Sequence, residues 1–357
     1  MPLSYEDKLM TRWMKLLLAV SFLAPSAMLS GPARADGYAK IEATEYRDDL
    51  ANWILGQRSR FLVDGVEAER VDYDARSLPS KVYAFGKLLE AHTYNVDGTL
   101  ASTSDGKLNE TNYSSWKRGV PQITGHADQT RITKIVDDFG SVTSVTDENG
   151  FVTSYKYSPV GLLTDVIYPA NDSSAWNQTF QSFGPASASE FGLPAGHWRQ
   201  TTRTGNAYSD VYFDAMWRPV LIWEYDAADV AGTSVFKSFS YDYAGRKTFE
   251  SYPVRSIAAF NDQVTGIKTS YDALGRVESV IEDSELGELK TTTSYLPGGG
   301  TRVQDPRGAL TTTTYQVFDE PTYDWPVTVD RANGDRTQIA RDVYGKVTSI
   351  SRLEPEG

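Results

Sequence analysis

The sequence predicts an all-β protein built as an antiparallel array of β-hairpins. Three observations predict it. Tyr and Gly are abundant, at 21 and 28 of 357 residues, and with recurrent Thr, Ser, Val and Asp they make a composition of strand and turn residues. A Tyr-Asp-x-x-Gly-Arg cluster occurs as "YDYAGRKTFESYP" from Tyr241 and again as "YDALGRVESVIED" from Tyr271. Looser copies recur along the chain with glycine four places after the first residue, and a self-similar unit at short spacing is the signature of a repeat array.

Length allows two or three ordinary domains or one long array. The formal net charge of -12 and sequence pI near 4.8 make the chain a poor tracker of phosphates, so no nucleic-acid partner is expected. The absence of Cys removes disulfides, zinc ribbons, iron–sulfur ligation and thiol nucleophiles.

The elements run in order as follows. Residues 1–35 hold upstream residues and a secretory signal plan: Arg12 and Lys15, an apolar run from Leu16 to Ala24, and the small-x-small site Ala33-Arg34-Ala35 before Asp36. That apolar run is too short to span a bilayer. The mature chain is therefore expected outside the cytoplasm, with no membrane span after cleavage. Residues 36–130 read as a β-rich region leading into the repeats, opened by a short helix. Tyr46, Leu50, Trp53 and Ile54 fall at helical spacing before Gly56. Residues 131–168 read as repeats, with "VDDFGSV" at Val136 and "YSPVGLL" at Tyr157, whose glycine is Gly161. Residues 169–212 read as an irregular insertion, and 253–267 is irregular too. Residues 213–357 return to repeats, from "FDAMWRP" at Phe213 to "RDVYGKV" at Arg341, which carries Gly345. A second glycine turn precedes several copies, in "DENG" with Gly150 and in "DPRG" with Gly308.

One hairpin explains the residue choice. Asp272 suits the first position of a type I turn, and Gly275 the left-handed position that restores strand twist. Tyr271 then lies across from Val277 and Asp272 across from Arg276. Alternation puts Asp272 and Arg276 on one face, expected to be the wetter, and Tyr271 and Val277 on a drier one. Tyr241, Asp242, Gly245 and Arg246 repeat the arrangement. A single hairpin is marginal, and stacking many of them buries a continuous face.

These residues resemble the Rhs/YD-repeat family. The likeness is strongest in "YDYAGRK" and "YDALGRV", extends to "SSWKRGVPQI" and "NWILGQRSRF", and covers most of residues 50–357. It implies a ribbon that spirals into a shell or partial shell, enclosing a C-terminal toxin domain in bacterial members. The chain resembles a truncated N-terminal part of a secreted bacterial member. "DPRG" at Asp305 matches half of the family's boundary element and lies within the repeat register.

Little in the sequence signals catalysis. His92, His126 and His197 lack the spacing of a zinc site and read as ordinary loop or surface histidines. No Gly-x-Ser-x-Gly elbow occurs. Most carboxylates sit at turns, where Asp is expected on conformational grounds; calcium at "NVDG" and "DENG" is an alternative use of them. No catalytic residue is assigned, and neither a metal nor a cofactor is expected. Trp176, Trp198, Trp217 and Trp223 cluster in and after the insertion; they are candidates for stacking on sugars, or for capping the apolar face of the sheet. The leading expectation is a non-enzymatic exported scaffold whose partner is a toxin payload in a longer chain. The alternatives are a module binding cell-surface glycan or protein, and a secreted polysaccharide-active enzyme.

Overall fold

The computed structural model describes residues 40–170, 176–262, 264–317 and 322–355. The signal segment lies outside them. The described residues contain 26 strands, from Glu42–Asp49 to Val347–Leu353, and one short helix, Val230–Thr233. Every strand pairs antiparallel with the next in sequence, so the sheet is one uninterrupted meander. Strand direction alternates, so the turns fall on two opposite rims of the ribbon. The Tyr-Asp-x-x-Gly turns lie along the first rim; the turns at Asp147, Asp305 and Arg331 lie along the second.

The turn chemistry is the one read from the sequence. Asp272 N–H donates to Arg276 O at 2.9 Å, Gly275 N–H donates to Asp272 O at 2.9 Å, and Tyr271 pairs with Val277 across a bulge. Gly275 has φ of 83°, a left-handed backbone that a side chain disfavours. The same five-residue loop tolerates Trp217 at the glycine place, with φ of 63°. That strain costs about 1–2 kcal/mol.

The ribbon overlaps itself. The turn carrying Phe85 lies between the fourth and fifth strands and the turn carrying Tyr344 between the twenty-fifth and twenty-sixth. Their rings meet edge to face with centroids 4.9 Å apart. Lys40, ahead of the first strand, lies 5.8 Å from the Trp325 ring, in the loop before the twenty-fourth. Both contacts join the second rim of the first strands to the first rim of the last. A twisted sheet does this when it winds as a spiral whose successive turns stack rim on rim. Twenty-one strands per turn at about 4.8 Å each give a circumference of roughly 100 Å and a diameter of about 32 Å.

The best-buried core lies on one face of the ribbon. A strap of residues 186–197 leaves the first rim and residues 252–262 leave the second. They meet where Phe260 N–H donates to Phe191 O at 2.9 Å. Phe191 inserts among Tyr212, Trp223 and Phe236, with ring centroids 5.4–5.6 Å away. Leu193, Val220 and Leu221 complete the cluster.

Three expectations are corrected. The helix at residues 46–54 is instead a hairpin, Glu42–Asp49 against Ile54–Val63. Its helical spacing had no apolar surface to meet, since Tyr46, Leu50 and Trp53 are exposed; the ladder with the neighbouring strand decides the conformation. The segment 169–212 is not an insertion outside the sheet: Thr179–Pro185, Trp198–Thr204 and Ala207–Phe213 are full members of the meander, and the strap between the first two is irregular. Finally, Val277 is more open than its neighbours Asp272 and Arg276, so the charge pair does not sit on the wetter face.

Gly275→Val is expected to lower stability by about 1–2 kcal/mol through backbone strain. Urea unfolding followed by circular dichroism measures it; an unchanged midpoint would remove the left-handed turn from the account.

Candidate functional site: a clamp repeated along the first rim

The repeat motif builds a joint between successive hairpins. In each full copy the aspartate first fixes its own turn. Asp242 Oδ1 accepts the backbone N–H groups of Ala244 and Arg246, both at 2.9 Å, while Oδ2 accepts from Arg246 Nε at 2.7 Å. Asp272 does the same with Leu274 and Arg276. Desolvation pushes the Asp242 carboxyl up, but the hydrogen bonds from Arg246 backbone and side chain outweigh it and hold the group below its usual range. The aspartate is thus a charged turn anchor.

The arginine so positioned reaches forward. Arg218 lies over the Tyr241 ring at 4.7 Å, Arg246 over Tyr271 at 4.6 Å and Arg276 over Tyr295 at 3.8 Å. The tyrosine completes the joint by reaching back. Tyr241 OH donates to Pro219 O, Tyr271 OH to Lys247 O, Tyr295 OH to Val277 O and Tyr157 OH to Val142 O, all at 2.8–3.0 Å. The acceptor is always the residue two places past the glycine position of the preceding turn. Burial raises the Tyr241 phenol, which keeps it a donor. The joints at Tyr241, Tyr271 and Tyr295 combine a cation–π contact with a hydrogen bond, and the joint at Tyr157 keeps the hydrogen bond.

Several joints use residues the motif does not announce. Trp116 Nε1 donates to Leu100 O at 3.0 Å, and Arg341 Nε donates to Pro326 O at 3.3 Å. Both stand where a tyrosine is expected and aim a donor at the equivalent carbonyl. The signal available was positional: each is one of the last two residues of a strand before a first-rim turn. Where the aspartate is lost at Ser158, its hydroxyl still accepts from Leu162 N–H at 3.1 Å. On the second rim, Asp147 and Asp305 accept backbone N–H groups in the same fashion, beside Gly150 and Gly308. Among the described residues no group of three His, Cys, Asp or Glu side chains is placed to hold a metal ion.

The four tryptophans separate. Trp198 and Trp217 pack with centroids 4.7 Å apart and ring planes tilted by 40°, and Phe183 packs on both at 5.0 and 5.4 Å. Trp217 is 53 % exposed, so this shelf opens to solvent, and its contacts offset the strained backbone of Trp217. Trp223 instead packs between Tyr225 and Phe236, its Nε1 donating to Ser234 Oγ at 3.0 Å. Trp176 stands apart beside Tyr168, with ring centroids 5.8 Å away. Two histidines also depart from expectation: His92 and His197 are buried, the latter stacked on Tyr212 at the end of the strap. A shallow cavity of about 420 Å³ is lined by Thr202, Ser209, Glu224 and Asp226 among others.

Fold and joint together define a class: a ribbon of hairpin repeats locked unit to unit through Tyr, Asp, Gly and Arg. Residues 136–173 match the RHS Repeat family model, so an RHS repeat is present in that stretch of the chain. No curated protein matches it. Among solved structures, TcdB2-TccC3-Cdc42 superposes with a TM-score of 0.61 at 13 % identity, over 87 % of this chain and 18 % of that one. The Photorhabdus luminescens Tc holotoxin pore carrying TccC3-D651A aligns over 86 % of this chain and 18 % of its own length, at 10 % identity and a TM-score of 0.32. At such identity the first likeness establishes the fold alone.

Tyr271→Phe is expected to cost about 0.5–1.5 kcal/mol, because the Lys247 carbonyl loses its donor while the ring remains. Chemical denaturation of the variant beside Arg246→Met and the double variant measures the coupling. Strictly additive losses would show that the two halves of the joint act independently.

Proposed function

We propose that the chain is a non-enzymatic wall segment of an exported β-shell, and that its role is to enclose a partner polypeptide. The observation that supports this reading most is the overlap of the ribbon with itself after twenty-one strands. A sheet wound at that radius has a hollow interior, and its joints lie along the rim, where they hold curvature without occupying the lumen. The neighbour's composition, TcdB2-TccC3 with Cdc42, is consistent with a polypeptide as the enclosed partner. Export rests on the signal plan at residues 10–35. The turn carboxylates are committed to backbone N–H groups and guanidinium partners, which fits a structural use.

Small-angle scattering of purified residues 36–357 tests the shell. A solid globule of that length has a radius of gyration near 20 Å. A larger value with a hollow distance distribution is expected, and a compact value at or below about 20 Å would sink the reading.

The Trp198–Trp217 shelf favours a second reading, glycan binding by the same wall. A glycan array should then give binding that Trp198→Ala abolishes while the far-ultraviolet circular dichroism stays unchanged. Binding indifferent to that substitution, or no binding, would leave the shelf a packing feature.

A further inference from the structure

The first rim carries more than its joints. At the tips of six first-rim hairpins, the third or fourth motif residue is apolar and points into solvent: Val96, Phe139, Val160, Met216, Tyr243 and Leu274 are 64–101 % exposed. Turn geometry does not call for apolar side chains there, since those positions accept most residue types. Tyr344 occupies the equivalent place in the last first-rim turn and is only 37 % exposed. It is the tip that meets the second rim of the same ribbon, through the Phe85 ring. The protein therefore contains one worked instance of what such a tip contacts.

We infer that the row of apolar first-rim tips is a docking surface for the second rim of a second copy of this chain, so that two copies stack rim on rim and continue the spiral. Continuity with the existing seam is the first argument. The overlap buries the first rim only near the last strands and leaves the tips from Val96 to Leu274 open. The second argument is pitch. Each rim presents one hairpin per two strands, or about 9.5 Å, so the two rims are commensurate over any length. The second rim offers its own exposed apolar tips at Leu108 and Leu286. The contact is heterologous, joining unlike surfaces, and needs no rearrangement of either copy. It goes beyond the enclosing role and holds whether or not a payload is present.

Sedimentation velocity of residues 36–357 over about a hundredfold range of concentration tests it. Wild type should self-associate. The triple variant Phe139→Ser, Tyr243→Ser, Leu274→Ser should weaken association at least about tenfold, with unchanged circular dichroism and thermal unfolding. If the triple variant misfolds, Tyr243→Ser alone, at a fully solvent-facing side chain, should weaken association measurably. Ile350→Lys on the open final strand Val347–Leu353 separates rim docking from strand addition at the sheet edge; it should leave association intact. A protein monomeric throughout would overturn the inference. So would association untouched by the rim variants, or association abolished by Ile350→Lys instead.

Discussion

The structure depends on one joint: a tyrosine hydroxyl that closes on a carbonyl of the preceding hairpin, under an arginine held by that hairpin's own aspartate. A meander has no covalent or topological device to keep one hairpin aligned with the next beyond the ladder itself. Ladder bonds fix distance between strands but leave register and twist soft where both faces are half-exposed. The joint adds a contact at the rim, where the ladder ends. Because the acceptor is always two places past the glycine position, the glycine turn sets where the tyrosine must land. Turn and joint specify each other.

That mutual specification explains which substitutions the repeat has absorbed. Where the tyrosine is absent, Trp116 and Arg341 supply a donor to the same carbonyl position. Where the glycine is absent, Trp217 accepts a left-handed backbone and gains two aromatic neighbours. The chain keeps the geometry and the donor while letting residue identity drift. Two acidic turn residues with different neighbours, Asp242 and Asp147, both end as acceptors of backbone N–H groups, so the abundant acid serves conformation.

The ribbon and its core do different work. Most of the sheet is only partly buried on either face, and ladder and joints carry it. The straps at 186–197 and 252–262 supply the compact apolar cluster around Tyr212 and Leu221. They approach from opposite rims and bridge strands that the meander alone would leave free to flex. Such a core pins one sector of the wall, while the overlap of Phe85 with Tyr344 sets the pitch of the winding.

The sequence by itself determined the unit. Asp272, Gly275 and their spacing dictate a type I turn with a left-handed glycine, and the Tyr271–Val277 pairing follows from that loop length. All-β class, repeat architecture and the turn role of the carboxylates were legible for the same reason: each is a local consequence of a few adjacent residues. The joint was half legible. Tyr and Arg were visible as repeated, but alternation within one hairpin assigned them to opposite faces, and only the neighbouring unit shows Arg246 over Tyr271. The strands within 169–212 and the hairpin at 42–63 were hidden, because their conformation comes from pairing with adjacent strands and their residues carry no strong local preference. Tertiary structure alone decided the straps, the burial of His197 and the winding of twenty-one strands per turn. Those rest on twist accumulated over the whole sheet, a quantity that no short stretch of residues encodes.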